Sequence, residues 1–364
     1  MKEKKRLGEI GRREERREER REGRVKGRIV MVMMVVMMVM GCNSGGVKDA
    51  EKVFLSEMVN LGKGFMEVFV SFGDMITGTL GIKADTKKSE IGGYFTKIEN
   101  TMKRVKEKLG EILDEHENYP KVKEKVEEFI GKINKIEEGA KLAATGVAGD
   151  VVIGNAVQNQ DAVPAAVDSV NKIVSGIKII VGIVLKEGEG NAEATKTAEN
   201  EKKSVGGLFA KGTANDGTEA QAAAASASVG VVSGADILRA IAKSKENPKT
   251  DNANGIEKAT DAAEIAIAPV VDGKKEIKEG AQKDAVIAAG IALRGVAKDG
   301  KFAAKNGEEK SANAVNGVVA SAVNKVLSTL IIAIRNRVDE GLKGISELLG
   351  EIKQGEGSET KVSE

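Results

Sequence analysis

Apolar residues recur every three or four positions through several stretches of the chain, the spacing of one face of an α-helix. The first stretch, 53–82, carries Phe54, Met58, Leu61, Phe65, Val68, Phe72, Ile76 and Leu80. Gly62, Gly64, Gly73 and Gly78 interrupt it, each costing about 0.5–1 kcal/mol relative to Ala inside a helix. They either permit close helix contact or mark a break. Ile98, Met102, Val105, Leu109 and Ile112 predict a helix over 95–117. Asn118-Tyr119-Pro120 then interrupts the pattern, and Pro suits the start of a following helix. That helix is predicted over 121–138 from Val122, Val126, Phe129, Ile133 and Ile136. From Val315 the stripe runs through Val319, Val323, Val326, Leu330, Ile334, Val338, Leu342, Ile345 and Leu349, predicting a helix or helix pair of about 35 residues. Residues 355–364 are polar and read as a frayed tail.

The middle of the chain reads differently. Ala/Val/Ile-rich runs at 140–185, 220–242, 256–271 and 284–298 alternate with polar stretches at 186–219, 243–255, 272–283 and 299–313. The stretch 186–219 is long for a structureless loop in a folded domain. The expected fold is all-α: an elongated bundle with long N- and C-terminal helices packed together. Shorter Ala/Gly-rich helices and polar loops would occupy its far end. One helical domain is expected over 47–354. Leu238-Arg239 to Lys243 echoes Leu293-Arg294 to Lys298, and so short a match in an Ala-rich chain reads as two independent amphipathic helices.

The leader changes the picture. Ile29 to Met40 is twelve apolar residues, which span roughly 18 Å as a helix where a bilayer core needs about 30 Å. A basic flank, a short apolar run and a small residue read together as a secretory signal over 1–41. Val39-Met40-Gly41-Cys42 has the form of a bacterial lipobox, and Cys42 is the only Cys among 364 residues. Lipid attachment at Cys42 is therefore expected, with 42–46 as a lipidated tether; an incidental Cys is the bland reading. Two or more acyl chains would anchor the chain stably. The Arg/Glu repeat at 12–22 exceeds what a signal requires, so residues 1–24 are compatible with a misassigned start near Val25.

Charge confirms this division. The chain's net +2 combines +6 over residues 1–28 with −4 from Cys42 onward. Nucleic acid is not an expected partner, because phosphate binding needs a concentrated basic face. One Cys and one His exclude an intrachain disulfide framework and multi-His or multi-Cys metal sites. His116-Glu117 begins a zinc-protease motif, but position 120 is Pro where the second His belongs. Gly73 to Gly78 has phosphate-loop spacing but is followed by Thr79-Leu80. Thr250 to Gly255 resembles a calcium loop at Asn252, Asn254 and Gly255, but Thr250 and Asp261 stand where Asp and a bidentate Glu are required. Without a nucleophile–base pair or metal cluster, no enzyme, cofactor or metal is expected.

Two long blocks carry a resemblance. One is Asn60-Leu-Gly-Lys-Gly-Phe-Met-Glu-Val-Phe-Val-Ser-Phe-Gly-Asp-Met-Ile-Thr-Gly78, continuing through Gly81 to Glu90. The other is Ile287-Ala-Ala-Gly-Ile-Ala-Leu-Arg-Gly-Val-Ala-Lys-Asp-Gly-Lys-Phe-Ala-Ala-Lys305, with Ser321 to Leu327 beyond it. The chain resembles the variable large proteins of relapsing-fever spirochaetes over about 42–350 and is similar to the related variable surface lipoprotein of Lyme-disease spirochaetes. The resemblance implies a lipoprotein of the cell outer membrane, surface-exposed and lipid-anchored through acylated Cys42. It also implies one member of a serially switched antigen repertoire that evades host antibodies, with no catalytic or cofactor residues. The loops 186–219, 243–255 and 272–283 are expected to form much of the antibody-facing surface, with Leu293–Lys305 shielded. The competing readings are an adhesin binding a host protein or glycan and a periplasmic structural lipoprotein. A weak homodimer is compatible with either.

Overall fold

The computed structural model describes residues 81–115, 120–213 and 215–356. All lie in the second of two units, Phe65–Glu364. Among the described residues there are nine α-helices: α1 (Lys88–Glu115), α2 (Pro120–Gly146), α3 (Val167–Val184), α4 (Glu199–Ser204), α5 (Glu219–Val231), α6 (Gly234–Lys243), α7 (Ala262–Ile267), α8 (Asp284–Val296) and α9 (Glu309–Glu356). Two short strands, β1 (Val157–Gln158) and β2 (Ala303–Ala304), pair in parallel, with Val157 opposite Ala303 and Gln158 opposite Ala304. The fold is an all-α bundle carrying this one small ladder.

The amphipathic stripes form the frame. In α1 the buried set extends the expected stripe N-terminally, through Ile91 and Phe95, to Ile98, Met102, Val105 and Leu109. The helix starts seven residues before the predicted boundary because Thr86 and Lys87 provide its entry. The Lys87 amide donates to Glu90 Oε1 (2.9 Å), and the Lys88 amide donates to the Val151 carbonyl (2.9 Å). In α2, Pro120 opens the helix, as its fixed φ and missing N–H favour. The helix runs to Gly146, beyond the predicted 138, because Ala140, Ala143 and Gly146 continue the buried face. There α2 crosses α3 very closely: a Cβ on Gly139 would lie 2.7 Å from the Gly176 carbonyl, so only glycine fits.

The C-terminal stripe is a single helix of 48 residues. It is long and apolar enough to cross a membrane, yet 61% of its most apolar window is buried inside the protein, as in a bundle's core helix. The frame helices meet where Phe129 of α2 lies against Gly341 of α9, a position with no room for a side chain. The stripe over 53–80 lies outside the described residues.

The polar stretches hold more order than their composition suggested. The segment 186–219 contains α4 and a 3₁₀ turn, Val205–Phe209, whose five residues are all buried. Within 272–283, Ile277 and Ala281 are fully buried. Within 299–313, Phe302, Ala303 and Ala304 are buried at β2. Short apolar insertions in a polar background leave no periodic signal, so these anchors were not visible in the pattern.

Candidate functional site

The centre of the bundle is α8, and every one of its residues from Asp284 to Val296 is buried. A helix apolar on all sides belongs inside a fold. It packs against α5, α6, α7 and α9, and one cation stands in its last turn.

Arg294 is fully buried and has no carboxylate partner among the described residues. Its Nε donates to the carbonyls of Val163 and Lys301 (3.1 Å each). Its Nη1 donates to Ala268 (3.2 Å) and Ile265 (3.4 Å) at the end of α7. Helix C-terminal carbonyls carry partial negative charge and favour a cation. Above the guanidinium lie Phe209 (4.9 Å to the ring centroid) and Phe302 (5.9 Å), which contact each other edge to face at 5.3 Å. These are the only aromatics after Phe129, and they converge on one charge. Burial pulls the guanidinium down to about 9, so it remains protonated at neutral pH.

Lys88 repeats the device one step away. Its Nζ donates to the carbonyls of Ala297 (2.6 Å) and Gly300 (2.7 Å), just past the end of α8. Burial pulls the ammonium down to about 8, opposed by the charge of Asp299. At the other end of α8, Asp284 accepts from the Lys196 amide (2.5 Å), the Thr197 amide (2.9 Å) and the Thr197 hydroxyl (2.5 Å). Burial pushes its carboxyl up, but these donors outweigh it and hold the group below its ordinary value. The buried helix thus grips both the N-terminal frame and the loop before α4.

Around this centre lies a surface of pinned loops. Residues 186–201 contain no buried residue. Arg239 of α6 fixes their start, with Nε on the Glu189 carbonyl (3.0 Å) and Nη2 on those of Lys186 (2.7 Å) and Leu185 (3.2 Å). The Asn191 amide donates to Asp236 (2.6 Å). Ion pairs Lys211–Asp272 (2.6 Å) and Lys275–Asp216 (2.8 Å) join the second half of 186–219 to 272–283. The segment 243–255 is held to α3 through Lys178–Glu246 (2.7 Å) and the Asn247 amide on Asn171 (2.9 Å).

The sequence candidates fall as follows. Cys42, the tether 42–46, Gly73 to Gly78 and His116-Glu117 lie outside the described residues. In the calcium-like turn, Asp251 accepts from the Ala253 amide (3.0 Å), the Asn254 amide (2.8 Å) and the Asn254 side chain (3.2 Å). Asp261 caps α7 through the Glu264 amide (2.9 Å). Both carboxylates therefore serve the turn. Among the described residues no group of three or more potential metal-ligating side chains occurs. Sequence reasoning missed Lys88 and Arg294. The available signal for Arg294 was a lone cation with no nearby acid inside an apolar run; Lys88 gave none.

Residues 65–349 match the family described as Borrelia lipoprotein. The chain is 60% identical over 296 residues to Variable large protein 17 of Borrelia hermsii, covering 81% of this chain and 83% of that relative. It is 58% identical over 325 residues to Variable large protein 4 of the same organism, covering 86% and 90%. Among solved structures it is similar to the Lyme disease variable surface antigen VlsE of Borrelia burgdorferi. That similarity has a TM-score of 0.67 and 34% identity over 80% of this chain and 97% of that one.

Proposed function

Because the chain belongs to the variable large protein family of Borrelia lipoproteins, we propose that it is displayed on the outer-membrane surface through acylated Cys42. There it would act as one antigen of a serially switched repertoire that evades host antibodies. As a family member it is a variable antigen lipoprotein and not an enzyme. The observation that carries the finer reading is the identity of 60% to a variable large protein over most of both chains.

The physics supports it. Exposed substitutions away from caps and buried groups usually change stability by less than about 0.5 kcal/mol. Large-to-Ala core changes cost roughly 2–5 kcal/mol. A bundle built on a buried α8 can therefore change the exposed positions of 186–201, 243–254 and 272–280, though not buried Ser244, Pro248 or Ile277, while keeping its frame.

Surface proteolysis of intact cells combined with metabolic lipid labelling tests the reading. Lipid label lost in Cys42→Ala, with cleavage in the three loops on intact cells, is the expected result. Membrane attachment unchanged in that variant refutes the anchor. Loops protected on intact cells refute surface display and favour a periplasmic structural lipoprotein. Repertoire switching is tested by sequencing the expressed copy in successive populations; an unchanged copy after antibody clearance contradicts it.

A further inference from the structure

We infer that Asn306-Gly307 is a site of spontaneous chemical modification, paced by Asn159, at which the asparagine side chain closes on the next main-chain nitrogen and becomes aspartate or isoaspartate. Asn-Gly occurs three times in the chain, at Asn254-Gly255, Asn306-Gly307 and Asn316-Gly317. Glycine has no Cβ to hinder approach to its own nitrogen, so each step is competent in an unfolded chain. The fold holds two of them shut and leaves the third open.

Asn316 lies inside α9, where the Gly317 amide is committed to the helix ladder. Its side chain is also clamped: Oδ1 accepts from the Ala156 amide (2.8 Å) and Nδ2 donates to the Ala156 carbonyl (3.0 Å). Asn254 is held by Asp251. Its Nδ2 donates to both carboxylate oxygens (3.2 and 3.3 Å), and the amide of buried Gly255 donates to the Asp251 carbonyl (2.8 Å). Reaction at either step first requires local opening.

Asn306 differs on each count. It and Gly307 are exposed, and its side chain makes no hydrogen bond among the described residues. The two residues form the centre of a turn closed by the Glu308 amide on the Lys305 carbonyl (3.3 Å), with Gly307 at φ 73°. The Gly307 amide donates to one exposed neutral acceptor, Asn159 Oδ1 (3.1 Å), and water can replace such a bond. Asn159 therefore slows the reaction without blocking it.

The step balances with water alone. The Gly307 nitrogen gives its proton to solvent base and bonds to Asn306 Cγ. The Cγ–Nδ2 bond breaks, and the side-chain nitrogen takes up a proton and leaves as ammonia. Water then opens the cyclic imide at either carbonyl. One opening restores the main chain with aspartate at 306; the other routes the main chain through the side chain and lengthens it by a methylene. Both place a carboxylate where a neutral amide stood. The turn joins β2 to α9 and clips 213–217 through the Asn306 amide on the Thr213 carbonyl (3.3 Å) and the Lys305 amide on the Gly217 carbonyl (3.0 Å). The surface there acquires a second chemical form with no change in the encoded sequence.

The test is timed incubation of the full chain at mildly alkaline pH, read by mass-spectrometric peptide mapping and by enzymatic methylation of isoaspartate. It is independent of anchoring and switching, so its failure leaves the proposed function standing. In the folded chain, conversion at 306 should run at least about tenfold faster than at 254 or 316, and in urea the three rates should fall within about threefold of one another. Asn159→Gly removes the acceptor and suits that residue's φ of 62°, so it should speed conversion at 306 at least about twofold. An unconverted 306 in the folded chain overturns the inference. So does conversion at 254 or 316 as fast as at 306, a preference for 306 that persists in urea, or an unchanged rate in Asn159→Gly.

Discussion

Arg239 and Arg294 stand at the same place in two nearly matching hexapeptides, Leu238 to Lys243 and Leu293 to Lys298. Each donates to main-chain carbonyls and pairs with no carboxylate among the described residues. Their depths differ. Arg294 is fully buried under two phenylalanines and holds α7, α8 and the Val163–Lys301 bridge together. Arg239 is half-buried and holds the first residues of an exposed loop. A shared guanidinium chemistry thus locks the frame in one case and presents a surface in the other. Burial sets the difference: carbonyls stripped of a donor at the centre have no water to replace it, whereas those at the rim do.

The largest effect should come from breaking the buried member. Arg294→Ala removes one donor from each of four main-chain carbonyls, three of which keep a backbone donor (Lys301 on Val163, Val163 on Lys301, Ala268 on Ile265), and empties the space beneath Phe209 and Phe302. Loss of about 4 kcal/mol or more is expected, read as a fall in thermal midpoint of roughly 10 °C. Arg294→Lys keeps the charge but loses the planar fork, so it should fall between the two. A loss in Arg294→Ala below about 1 kcal/mol would show that the centre does not depend on this clamp.

Lys88 sharpens the comparison through pH. Its folded pKa, about 8, lies below the ordinary 10.5 because of burial. Between those values the unfolded chain binds the extra proton, so stability rises with pH across that window and carries the full desolvation cost below it. The gain is at most about 3 kcal/mol. Wild type should therefore gain on Lys88→Met in urea midpoint between pH 8 and 10. Parallel pH curves for the two proteins would sink the assignment.

The frame was legible where burial followed a period. The stripes over 95–117, 121–138 and from Val315 onward became α1, α2 and α9, because a long one-sided apolar face has few other ways to be covered. Helix ends were less legible. Thr86 and Lys88 start α1 through main-chain bonds with Ile153 and Val151, more than sixty residues away in sequence. The buried anchors Val205–Phe209 and Phe302–Ala304 were hidden by their brevity. The cation centre was least legible of all. Lys88 lies in a polar stretch and looks like a solvated lysine, and only the fold brings it to Ala297 and Gly300.

Arg239→Ala tests the exposed member and should do less. Three carbonyls lose a donor, but Glu189 and Lys186 are exposed and can turn to water. A global loss of about 1 kcal/mol or less is expected, with faster amide exchange confined to about 185–191. Single Ala substitutions at Glu193, Glu246 and Asp272 should do less still. Each belongs to an ion pair whose two side chains are both about half-exposed or more, and such pairs contribute roughly 0–1 kcal/mol. The ordering is the point of the series. If Asp272→Ala proved as costly as Arg294→Ala, the loop surface would belong to the core energetically. Its sequence could not then change without unfolding the protein, and the physical basis for a replaceable surface would be lost.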